Sequence, residues 1–286
     1  MCGVTGLWDR CGRRSPDELA ATAMLMANAV AHRGPDGCAA WADSEAGLAL
    51  GHRRLSIIDL SPAGAQPMVS SSGRFVIAYN GEVYNADELR CELSASGLSF
   101  RGHSDTEVIL EAAAAWGVEA AIPRLIGMFA MALWDRHERT LYLVRDRLGI
   151  KPMYWAEFDG SFIFGSELKA LRAEDSWSVN LDLTSLASYM RFGYVPTPRT
   201  IYTGVHKLEP GTILKLRCGQ QPDFIRYWSL EDVACHGQGA RFSGTEEEAT
   251  EALDELLRDA VKRRMIAMSR SARSFPAGSI HRRSWP

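Results

Sequence analysis

Two helical patterns set among short β-rich runs confine what this chain can fold into. Leu19 to Val30 carries apolar residues at helical spacing, with Pro16 suited to a first turn. A second helix is expected to open at Ser104-Asp105-Thr106-Glu107, read as a capping box, and to stop at Gly117. Strand-like runs lie between and after them. These are Leu48 to Ile58, Phe75 to Tyr79 with a turn expected at Asn80-Gly81, Met128 to Trp134, Leu141 to Val144, and Ser161 to Phe164. Strand-rich runs on both sides of helical segments predict an α+β or a layered α/β/β/α domain, and periodicity alone does not choose between them.

Composition narrows the class further. With 286 residues, 46% hydrophobic and 23% charged, the chain is neither disordered, collagenous nor coiled coil, and it is long enough to bury a large core. Its six cysteines are widely spaced with no CxxC pair, which argues against a disulfide framework and a zinc site. There is no basic-then-apolar leader and no run of ~18 apolar residues, so the expected location is the cytoplasm, with no membrane partner.

Residues 218–243, rich in Gly, Gln and polar side chains, read as a linker. Thr245-Glu246-Glu247-Glu248 then opens a capping box ahead of an apolar stripe through Ala249, Leu253, Leu256, Leu257, Ala260 and Val261. Residues 268–286 hold four arginines and no acid. The net charge of −3 is therefore +4 there and −7 over residues 1–267. So short a basic end is no nucleic-acid surface.

Met1-Cys2-Gly3 is the tripeptide most open to chemistry. Removal of Met1 would leave Cys2 with a free α-amine, of ordinary pKa ~7.7–8.0, able to take the thiol proton and so unite nucleophile and base in one residue. Taken singly, each neighbouring motif has a plain reading. Asn80-Gly81 suits a hairpin turn, Asp105 suits a helix N-terminus, and Arg53 or Arg54 suits a surface. Arg145, Asp146 and Arg147 read as a structural ion-pair network, and Cys11, Cys38, Cys91, Cys218 and Cys235 as ordinary thiols.

As an ordered set the motifs say more. Met1-Cys2-Gly3-Val4-Thr5-Gly6, His32-Arg33-Gly34-Pro35-Asp36, Arg54-Leu55-Ser56-Ile57-Ile58-Asp59, Tyr79-Asn80-Gly81-Glu82-Val83-Tyr84-Asn85 and Ser104-Asp105-Thr106-Glu107 come first. Leu125-Ile126-Gly127-Met128-Phe129-Ala130, Arg145 to Pro152 and Ser166 to Ala170 follow. Together, over residues 2 to about 267, they resemble the class II glutamine amidotransferase domain of glutamine-dependent asparagine synthetases. The resemblance implies an α+β fold, the four-layer α/β/β/α N-terminal-nucleophile sandwich, over residues 2–217, with 244–267 as the first helix of an incomplete second domain.

It also implies roles. Cys2 would attack the side-chain amide of glutamine, and the Asn80 side chain with the Gly81 N–H would form the oxyanion hole. Arg54 would hold the α-carboxylate, while Asp105 and Glu82 would contact the α-amine and its surroundings. Leu55, Ser56, Ile57 and Ile58 would complete the glutamine pocket. Arg53 departs from the family, where an acid is common. Glutamine hydrolysis would need no cofactor and no metal; ATP and Mg are expected only in a full-length enzyme that makes asparagine. Glutamine is the expected partner, nucleic acid is not, and a homodimer stays open. So do two other functions: an amidotransferase for a different acceptor, and an idle glutamine-binding or interaction module. Family members carry a phosphate loop resembling SGGIDSS after the helix matching Glu246–Arg264. Back-translating Ala267 to Pro286 and reading one base out of frame permits DVPVGAFLSGGIDSS, so 268–286 is expected to be a frameshifted tail.

Overall fold

A computed structural model of the chain describes residues 1–56, 62–175 and 177–265. The chain divides into two compact units, Met1–Arg241 and Phe242–Pro286. In the first, one six-stranded antiparallel sheet contains β1 (Gly3–Asp9), β2 (Gly37–Asp43), β3 (Leu48–Arg54), β8 (Tyr154–Phe158), β9 (Ser161–Gly165) and β10 (Val205–Lys207). Its order is β10-β8-β9-β1-β3-β2. The other contains β4 (Met68–Val69), β5 (Phe75–Val83), β6 (Gly127–Asp135), β7 (Thr140–Arg145), β11 (Thr212–Arg217) and β12 (Asp223–Arg226), in the order β12-β11-β7-β6-β5-β4.

Period-two side-chain alternation explains the stacking. Along β5, Phe75, Ile77 and Tyr79 join one apolar cluster, and Val76 and Ala78 join another. Strand β6 repeats this, with Phe129, Met131 and Leu133 on one face and Ala130, Ala132 and Trp134 on the other. The second cluster lies between the sheets, where Trp8 meets Trp134 edge-on with ring centroids 5.1 Å apart. Outside one sheet pack helices α2 (Ala86–Ala95) and α3 (Asp105–Trp116), with the short α4 (Val118–Ala121) behind α3. Outside the other pack α1 (Pro16–Asn28) and the short α5 (Leu168–Leu171). The order helix, sheet, sheet, helix is the four-layer sandwich that the resemblance implied.

Helix α1 is closed by a full capping box: Ser15 Oγ accepts from the Glu18 N–H, and the Glu18 carboxylate accepts from the Ser15 N–H at 2.7 Å. Helix α3 is not. Ser104 caps it, but the Glu107 carboxylate turns back to the N–H groups of Arg101 and Gly102, at 2.8 and 2.9 Å. Strand β5 also corrects the sequence reading. Asn80-Gly81 makes no turn, because β5 runs on to Val83 and Gly81 pairs with Phe129.

Helix α6 (Leu183–Phe192) follows α5, capped by Asp182. The stretch 218–243 is more than a linker. Its residues Asp223–Arg226 form β12 on the edge of β11, and α7 (Leu230–Gly239) follows, capped by Ser229. Sequence reading missed α7 because Gly237 and Gly239 are poor helix formers and no residue of the helix is buried. In the second unit, α8 (Glu246–Arg264) has the capping box expected at Thr245–Glu248, and Leu253, Leu256, Leu257 and Val261 are exposed. Residues 268–286, read as frameshifted, lie outside the described residues. Among the described residues no helix is long and apolar enough to cross a membrane.

Candidate active site

One cleft gathers Cys2, Arg54, Leu55, Asn80, Gly81, Glu82 and Asp105. Each is placed by a backbone constraint. Cys2 stands at the head of β1, next to Gly3, where a Cβ would lie 2.8 Å from Val30 Cγ2. Its backbone carbonyl accepts from Arg33 Nε at 2.9 Å, and the Arg33 guanidinium is held by Glu167 at 3.0 Å. Two residues on from Cys2, Val4 donates its N–H to Ser166 Oγ and its carbonyl accepts from the Ser166 N–H. The thiol sits against the end of β3: the Leu55 N–H donates to Sγ at 3.4 Å, and Sγ lies 3.6 Å from the Leu55 carbonyl.

The charges around this thiol follow from partial burial. Burial pushes the Cys2 thiol up, opposed by the Leu55 N–H. Burial also pulls the Met1 amine below its ordinary value. Met1 itself is 56% exposed.

Across the cleft, Asn80 is 1% exposed, yet its Nδ2 is buried without a hydrogen-bond partner. Buried donors are satisfied in the great majority of cases, so this unpaired amide stands out in a residue that lines the same cleft as the thiol. Gly81 admits no side chain: a Cβ there would come within 2.4 Å of the Met128 carbonyl and 2.7 Å of Phe129 Cα.

Asp105 begins α3 and is nearly buried. Its Oδ2 accepts from Tyr79 Oη at 2.7 Å and from the Val83 N–H at 3.0 Å. Burial raises its carboxyl pKa, and those donors oppose the rise. Glu82 is raised first by burial and then by Asp105, against the pull of Lys151. Arg54 supplies a cation at the end of β3.

Not every expected pocket residue is brought in. Ser56 is tied instead through its N–H to Asp36 at 2.8 Å, and Ile57 and Ile58 lie outside the described residues. The run Arg145–Arg147 is structural as expected, but through backbone contacts. Arg145 donates to the carbonyls of Lys151, Leu208 and Gly149, while Asp146 accepts from the N–H groups of Phe129, Leu148, Ile150 and Lys151. Arg147 donates to the Pro123 carbonyl. Sequence reasoning gave no role to Gln66, Tyr79 or Lys151, all of which line the cleft. Tyr79 and Lys151 stood within quoted motifs; for Gln66 the Gln-Pro pair before a strand was the only local signal.

Comparison with known proteins agrees with this geometry. Residues 1–228 match the glutamine amidotransferase domain family. The chain belongs to that family. This glutamine amidotransferase is 33% identical over 270 residues to asparagine synthetase [glutamine-hydrolyzing] 3 of Bacillus subtilis, covering 93% of this chain and 42% of the relative. It is 36% identical over 228 residues to asparagine synthetase [glutamine-hydrolyzing] 1 of the same organism, covering 80% and 35%. The amidotransferase chain thus spans about two-fifths or less of the length of these relatives. Among solved structures, the glutamine phosphoribosylpyrophosphate amidotransferase of B. subtilis complexed with ADP and GMP superposes with a TM-score of 0.60. It is 19% identical and covers 80% of this chain and 50% of that one, a likeness of fold.

Proposed function

We propose that this domain hydrolyses glutamine to glutamate and ammonia, with Cys2 as nucleophile once Met1 has been removed. The observation that carries the reading is the unpartnered, buried Asn80 Nδ2 in the same cleft as the Cys2 thiol. The freed α-amine takes the thiol proton, Sγ bonds to the amide carbon of glutamine, and the carbonyl oxygen becomes an oxyanion facing Asn80 and Gly81. Collapse breaks the C–N bond. Ammonia leaves with the proton that the amine carried, and a γ-glutamyl thioester remains. Water then attacks that thioester, releasing glutamate and restoring the thiol. Arg54 and Asp105 offer one cation and one anion, matching the α-carboxylate and α-amine of an amino acid.

In this reading the chain's own residues and water suffice for hydrolysis. The relatives are named as asparagine synthetases, and we propose the same destination for the ammonia, an aspartate activated by ATP with Mg²⁺ in the complete enzyme. The proposed location is the cytoplasm. The test is ammonia release from glutamine, compared between the wild type and Cys2→Ala, with intact mass reporting whether Met1 is present. Release that depends on Cys2 and on Met1 removal is expected. Equal release from both proteins, or none from a wild type lacking Met1, overturns the reading.

A further inference from the structure

Tyr79 stands next to Asn80 on β5, but alternation sends its ring to the opposite face, into the apolar cluster beneath α3. It is 2% exposed, and its hydroxyl donates at 2.7 Å to Oδ2 of Asp105. Its backbone is pinned as well: the Tyr79 N–H donates to Gln66 Oε1 at 2.7 Å, and Gln66 Nε2 donates on to Thr106 Oγ1 at 3.2 Å. Gln66, Tyr79, Asp105 and Thr106 therefore form one clamp that joins β5 to the first turn of α3. Such a clamp is more than core packing requires, since a phenylalanine would fill the same apolar volume.

We infer that Tyr79 is a positioning residue for substrate selection, its hydroxyl holding the Asp105 carboxylate ionised and turned to the α-amine of glutamine. This rests on the glutaminase reading. Burial works against an anion at Asp105, and the Tyr79 hydroxyl is the foremost of the contacts that favour it. The phenol is itself held well above its ordinary range by burial and by Asp105, so it stays a donor at neutral pH. The other charged or titratable groups facing this carboxylate are Glu82 from β5 and Cys2 at the head of β1, with Arg54 and Lys151 lining the same cleft. Glu82 and an ionised Cys2 repel the anion, which leaves its retention to the Tyr79 hydroxyl and to the backbone N–H groups of Val83 and of the first turn of α3.

The test is Tyr79→Phe, which keeps the ring and deletes the hydroxyl. The Asp105 carboxyl, followed by ¹³C NMR and assigned with Asp105→Asn, is expected to titrate about one unit higher or more. The acid limb of the pH profile of KM for glutamine should move by the same amount, about tenfold in KM per unit on that limb. Gln66→Met, which frees the Tyr79 backbone, should shift both in the same direction by less, and it gives an independent measure if the first variant folds poorly. An unmoved carboxyl titration overturns the inference. So does a KM raised equally at every pH, which is the mark of packing alone. Because the NMR titration needs no turnover, a wild type without Cys2-dependent ammonia release would defeat the glutaminase reading while the clamp still stood or fell on its own measurement.

Discussion

Asn80→Ala should separate activity from stability in a way few active-site substitutions do. In the free protein Nδ2 of Asn80 is buried with no partner, so the folded state already carries its desolvation. Leaving such a group unsatisfied costs about 1–3 kcal/mol, which the substitution relieves. Against this stands the loss of a small side chain's packing, on the order of 1–2 kcal/mol where the site cannot collapse. The two nearly cancel, and the unfolding free energy read from urea titration should change by no more than about 1 kcal/mol in either direction. The transition state has no such compensation. Loss of one oxyanion donor is expected to lower kcat about 10²–10³-fold, or roughly 3–4 kcal/mol, with little change in KM. Steady-state ammonia release and urea unfolding on the same preparation make the comparison. A variant keeping kcat within about threefold of wild type would refute the oxyanion assignment. One losing more than about 2 kcal/mol of stability would refute the claim that Nδ2 is unpaired.

Two further outcomes follow from the same geometry. Gly81→Ala forces a Cβ onto the Met128 carbonyl and Phe129 Cα of the paired strand, so it should cost about 1–3 kcal/mol in thermal or urea unfolding and lower kcat as well. His52 is fully buried, donates through Nε2 to the Tyr79 carbonyl, and has its pKa pulled down to about 4, chiefly by burial. The folded state therefore binds fewer protons than the unfolded one between pH 6.5 and about 4, and stability falls as pH drops through that window, by about 3 kcal/mol in full. His52→Phe should flatten that part of the stability curve, as read by urea unfolding at several pH values.

Many of the strands and helices were legible because they rest on short-range rules, whereas the layering came only with the family resemblance. The strand runs within β5 and β6, Pro16 in the first turn of α1 and the capping box of α8 are written in neighbouring residues. The failures lie where a distant partner overrides a local signal. Asn80-Gly81 has the composition of a hairpin turn, but β6 pairs across it and draws the strand on to Val83. Glu107 stands where a capping box would want it, yet the N–H groups of Arg101 and Gly102 claim its carboxylate. Helix α2 escaped notice because Leu89 and Leu93 alone mark its buried face. In the site, Cys2, Arg54, Asn80, Gly81 and Asp105 were named from the motifs, and the fold brings them to one cleft. Gln66 could be found only in three dimensions, since its partners are Tyr79 and Thr106, on a strand and a helix that follow it in the chain.

The place of β1 has a consequence for how such a molecule matures. The strand that Cys2 precedes is inner in its sheet: Thr5 lies between Gly51 of β3 and Gly165 of β9. Both neighbours are made later, and the second only after more than half of the chain. During synthesis the thiol therefore waits without its surroundings while the first sheet lacks its middle. A nascent chain stopped before β9 would hold every residue that lines the cleft, yet lack one of the two strands that flank β1.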